Sequence, residues 1–149
     1  MAACISNCDG IKRNQSAGVP PRCLILESEG RSPSNGCAVI GINPGNAEPE
    51  EIEFYKANGV TYEVLLKYWS RSVGYNHPYY TQVRKFLNQA GLSGPILWTE
   101  LAKCEGRTKT QKVPPLSTLR HCAGQFLLEE LQLIPQEKRG TLVLKQLDT

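Results

Sequence analysis

The stretch Val39-Ile40-Gly41-Ile42-Asn43-Pro44-Gly45 constrains this chain more than any other. Residues 37–42 form an apolar run broken only by Gly41, the length of a buried parallel strand, and Pro44 and Gly45 cannot prolong it. A strand ends there and a loop begins. Comparable apolar runs recur at residues 95–99 and 140–144. Between them lie helical signals. Pro49 with Glu48, Glu50 and Glu51 marks a helix start favoured by the dipole, with Gly59 as its stop. Thr61 can cap a second helix that puts Val64, Leu65 and Tyr68 on one face. Residues 73–78 read as loop, and residues 79–90 as a helix with Val83, Phe86 and Leu87 inward and Gly91 just past its end. Ser117 can cap a last helix through Leu119, Cys122, Phe126, Leu127 and Leu131. Strand, helices, strand, helix, strand predicts an α/β fold of three layers, a central parallel sheet with helices on both faces. Ligands of such sheets sit beyond the carboxyl ends of the strands, where this chain places Asn43.

With 149 residues the chain has room for one domain, and 40% apolar content suits an ordinary core. No apolar run approaches the roughly 20 residues needed to span a bilayer, and the N-terminus carries no hydrophobic region of signal-peptide type. The expectation is an intracellular monomer, cytoplasmic or in the nucleoid or nucleus. A net charge of +3 permits a nucleic-acid partner without demanding one. Residues 1–22 are polar, hold Gly10, Gly18 and Pro20-Pro21, and show no period, so they read as an irregular arm ahead of a domain at residues 23–149. Six cysteines in an intracellular chain are poorly explained by disulfides. Metal ligation or burial must account for them, and Cys23 and Cys37, in or beside apolar runs, read as buried.

The motif Gly41-Ile42-Asn43-Pro44-Gly45 resembles the first active-site motif of the uracil-DNA glycosylase superfamily, in the form carried by its mismatch-specific branch. Tyr75-Asn76-His77-Pro78 and Asn88-Gln89-Ala90-Gly91 resemble segments that follow it in that branch, in the same order. Trp98-Thr99-Glu100-Leu101-Ala102-Lys103-Cys104, followed by Cys122, is similar instead to a segment of the iron-sulfur branch. The likeness runs from about residue 4 to residue 143. The superfamily has a second motif after its last strand, and residues 145–149 hold nothing equivalent, so the resemblance implies a domain truncated or divergent at its C-terminus.

The resemblance implies base excision, hydrolysis of the bond between deoxyribose and a uracil or another deaminated or mismatched base in DNA. A catalytically silent DNA- or metal-binding module of the same fold is the alternative. Asn43 would orient the attacking water through its amide oxygen, although an Asn-Pro-Gly after a strand is equally a turn with an Asx hydrogen bond. Backbone around Ile42 and Gly45 would contact the base, Tyr75 would cover the flipped base, and Thr99 and Glu100 would line its edge. Tyr79 and Tyr80 compete with Tyr75 for the stacking role, and His77 reads as structural. Glu100 stands where the iron-sulfur branch has an Asn that reads uracil. A carboxylate there accepts from the base but donates to it only when protonated. Cys4, Cys8, Cys104 and Cys122 would supply the four thiolates of a [4Fe-4S] cluster, or of structural zinc. Lys103, Arg107, Lys109 and Lys112 form the most basic stretch, suited to DNA phosphates or simply solvated. The helices between residues 48 and 68 read as an insertion on the active-site side.

Overall fold

The computed structural model describes residues 8–22, 24–42, 44–45, 47–73, 76–104, 114–132 and 140–143. Strands β1 (Ile25–Glu27), β2 (Cys37–Gly41), β3 (Ile96–Glu100) and β4 (Gly140–Val143) form a sheet of order β1-β3-β2-β4. β2 runs parallel to both β3 and β4, with Gly41 opposite Glu100 at the carboxyl edge. The expected parallel neighbours are therefore present. The sheet is mixed rather than parallel throughout, because β1 joins β3 antiparallel, Ile25 opposite Trp98. Two glycines let β2 and β3 start side by side. A Cβ on Gly94 would stand 2.0 Å from the Ser34 carbonyl oxygen and one on Gly36 2.8 Å from that of Pro95, so neither position has space for a side chain.

Between β2 and β3 run α2 (Pro49–Asn58), α3 (Tyr62–Tyr68) and α4 (Pro78–Gln89). Pro49 opens α2, and the Thr61 hydroxyl accepts from the Val64 amide to cap α3. α3 runs on into a π-helical turn over Trp69–Val73, which shortens the expected loop. His77 caps α4, its Nδ1 accepting from the Tyr79 amide at 3.2 Å. Val83 and Leu87 on α4 are buried as expected, but Phe86 is exposed, since it lies off the stripe those two define. These helices pack against one face of the sheet, in a cluster with Cys37, Val39, Ile96 and Trp98 at its floor and Tyr55, Leu65 and Leu87 above. Full burial of an aliphatic such as Leu87 stabilises by about 1.5–3 kcal/mol. The opposite face places Ala38, Ile40 and Leu97 against Leu127.

Leu127 ends a π-helical turn (Ala123–Leu127) that joins α5 (Leu116–Cys122) to α6 (Leu128–Gln132). Ser117 does not cap this helix. Pro115 holds the N-cap position without a side-chain bond, and Ser117 lies inside the first turn. The arm differs too, for residues 9–17 form a helix, α1 (Asp9–Ala17). Ile11 and Asn14 are buried, Gly18 closes the helix at φ 70°, and the Asn14 amide donates to the Pro20 carbonyl at 2.9 Å. One apolar anchor and one buried amide are too few to make a period, yet they dock a helix of this length.

A polar staple ties β1 to the main body. The buried carboxylate of Glu27 receives three bonds from Arg84 on α4, from Nε at 2.9 and 3.0 Å and from Nη2 at 2.8 Å, and one from the Trp98 indole at 2.9 Å. Arg31 adds an ion pair at 3.5 Å. Burial alone would push this carboxyl up, but the bonds from Arg84 and Trp98 hold it below the usual range.

Candidate functional site

At the carboxyl edge of β2 and β3 the two chains stay paired beyond the strand ends. The Leu101 amide donates to the Gly41 carbonyl at 2.8 Å and the Ala102 amide to that of Ile42 at 2.9 Å. The start of the Ile42 to Gly45 loop is thereby fixed to the turn that follows β3. Pro44 is buried, while Gly45 is exposed and a Cβ there would meet nothing within 4 Å. Asn43 and Tyr75 lie outside the described residues.

Glu100 occupies the centre of this edge. Successive strand residues point to opposite faces, so Glu100 shares the side of Trp98 and α4. Its carboxyl group lies over Gly41, where an added Cβ would stand 2.1 Å from Oε2 and 2.8 Å from Oε1. The glycine in the apolar run is there to make way for this side chain. Oε2 is closed off from solvent with no hydrogen-bond partner among the described residues. Burial pushes this carboxyl up to about 7, and the charges of Lys103 and Arg22 draw it down only in part.

Above Glu100 lies the start of α4. Tyr80 is the hub of an aromatic cluster, edge-on to Trp98 at 5.0 Å, Tyr79 at 5.1 Å and Trp69 at 5.8 Å. Burial, and next the charge of Glu100, push its phenol up to about 12. Tyr80 is thus committed to packing. Tyr79 is exposed, at 39% for the residue, and its phenol is raised by burial and by Glu100 in turn. Of the two competing tyrosines, Tyr79 is the one with a face to offer.

Two expectations are corrected here. Thr99 belongs to the other face of the sheet, and its hydroxyl is taken up, donating to Glu130 and accepting from Lys103 at 2.6 Å. It cannot line the same site as Glu100. Lys103, expected among the phosphate contacts, is buried, with Nζ donating to Glu130 and Thr99. A buried lysine is held by a paired carboxylate, and here Glu130 on α6 supplies it. Arg107, Lys109 and Lys112 lie outside the described residues. Arg22, ahead of β1, pairs with Glu51 on α2, and neither its role nor that of Glu130 has a local sequence signal, because each meets its partner across a long separation.

Among the thiols, Cys37 is buried as expected, Cys104 and Cys122 are buried as well, and Cys8 is partly exposed. Cys4 and Cys23 lie outside the described residues. Among the described residues no three His, Cys, Asp or Glu side chains come together as a metal-holding group, so Cys8, Cys104 and Cys122 do not by themselves form one. No family model matches this chain, and no curated protein or solved structure was found to match it. No helix among the described residues is long and apolar enough to cross a membrane.

Proposed function

We propose that this chain is a base-excision domain of uracil-DNA glycosylase type, binding a base turned out of DNA at the carboxyl edge of β2 and β3 and hydrolysing its bond to the sugar. The observation that carries the reading is the seating of Glu100 over Gly41, which puts a polar group of unusual acidity beside the Asn43 loop and below the exposed Tyr79. A base cannot be reached inside a duplex, so such an enzyme needs a polar edge reader and an aromatic cover. On this reading the sheet is the centre of three layers, with α2 to α4 on the Trp98 side and α5 with α6 on the Leu97 side. Asn43 positions the water, and backbone at Ile42 and Gly45 borders the base. Tyr79 is available for the stacking role alongside Tyr75.

The cysteines enter as a staple remote from the base. Cys4, Cys8, Cys104 and Cys122 would hold a [4Fe-4S] cluster or zinc, and no step of the excision runs through it. Metal analysis of anaerobically purified protein checks this, with roughly four iron per chain expected for a cluster of four irons and no metal counting against it. The excision itself is tested with a uracil-containing oligonucleotide followed by alkali. Wild type should cut the strand at the uracil, and Asn43→Ala should lower the single-turnover rate by about 100- to 10,000-fold while DNA binding persists. Binding of uracil-containing and undamaged strands alike, without cleavage, would overturn the enzyme reading.

A further inference from the structure

Glu100 carries more than a seat at the site. Of its two carboxyl oxygens, Oε2 is closed off against Gly41 with no partner among the described residues, while the residue as a whole keeps partial exposure. An ionised oxygen left so would bear the full desolvation penalty of a charge, and a buried hydroxyl would be an unused donor. Least costly is Oε2 as the carbonyl oxygen, with the proton on Oε1. That assigns the group a chemical role. A neutral carboxyl offers one O–H donor, which a carboxylate lacks.

We propose that Glu100 binds the base as an acid, its Oε1–H donating to a ring carbonyl oxygen of the base while Tyr79 covers the base face. The inference rests on the base-binding reading above and adds to it the ligand atom and the protonation state. It takes as ligand a base that presents a carbonyl at this edge. The groups facing Glu100 support a proton held through the neutral range. Lys103 beyond the end of β3 and Arg22 ahead of β1 favour its loss, but burial outweighs both. Tyr79 and Tyr80 on α4 have phenols raised above their ordinary value and stay neutral. β2 contributes Gly41, which has nothing to titrate.

The test is equilibrium binding of the full chain to a single strand carrying one uracil, against the same strand with an abasic analogue at that position, between about pH 6 and about pH 8.5. If only the acid binds, the uracil-dependent affinity of wild type falls about 30-fold over that range, given a carboxyl that titrates at about 7. Glu100→Gln, whose amide donates at every pH, should hold its uracil-dependent affinity flat and exceed wild type at the alkaline end. The carboxyl carbon resonance of Glu100 supplies a second reading on wild type alone, and its titration midpoint should rise when the uracil strand binds. A uracil preference that does not change with pH, a pH dependence that persists in Glu100→Gln, or a midpoint that does not rise would each overturn the role of Glu100 while leaving base binding intact. Absence of any uracil preference at any pH would instead remove the base-binding reading, and this inference with it.

Discussion

Glu27 and Glu100 point to the same side of the sheet and differ in what surrounds them. Both are pushed up by burial, yet Arg84 and Trp98 bond Glu27 and bring it below 4.5, whereas Glu100 receives no such bonds among the described residues and rises to about 7. Their effects on stability therefore run in opposite directions with pH. Glu27, lowered on folding, contributes stability that is present above the unfolded value of 4.5 and is lost as pH falls through its folded value. Glu100, raised on folding, is at no disadvantage below 4.5, and the stability tied to its proton is lost as pH rises through about 7. Denaturant unfolding of Glu100→Gln should thus show a gain of up to about 3 kcal/mol at about pH 8.5 and almost none at about pH 4.5. Glu27→Gln should lose up to about 3–5 kcal/mol at neutral pH, because it removes the buried carboxylate that pairs with the partly buried Arg84 and Arg31. An unchanged midpoint would mean that β1 is not held by this staple.

At the level of elements, the site depends on the close approach of β2 and β3. Gly41→Ala places a methyl where the Glu100 carboxyl lies, and what it meets is the end of a side chain rather than backbone. The expected outcome is a displaced Glu100, with uracil-dependent binding reduced by about 10-fold or more while stability falls by less than about 2 kcal/mol. Calorimetry and strand binding on the same variant check both halves. Full binding in this variant would show that the seat over Gly41 does not matter. β2 and β3 were legible from the sequence because burial on both faces leaves an apolar run, and Thr61, Gly59 and Gly91 marked helix ends by local chemistry. β1 was not read as a strand, for three residues with a glutamate among them carry no pattern until Arg84 and Trp98 pair it. α1 was hidden for a similar reason. Gly41 interrupts the apolar run in the sequence, but nothing there says that Glu100 lies over it, which depends on a register set by pairing across more than fifty residues.

At the scale of the molecule, the proposed function occupies one edge of one sheet, with the helices between β2 and β3 roofing the Trp98 side and the Lys103, Thr99 and Glu130 cluster fastening α6 beneath the other. That cluster sits on the opposite face from Glu100 and serves to hold the turn after β3 in place. The proposed function gives a base taken from DNA one address, at the carboxyl edge of β2 between Glu100 and the start of α4. Photo-crosslinking of a single strand carrying one 5-iodouracil, followed by peptide mapping, measures that address directly. Adducts are expected on the peptides that hold Tyr75, Tyr79 and residues 98–104, competed away by an unlabelled uracil strand. Adducts confined to α1, or to α5 and α6, or equal competition by a strand without uracil, would contradict the proposed function.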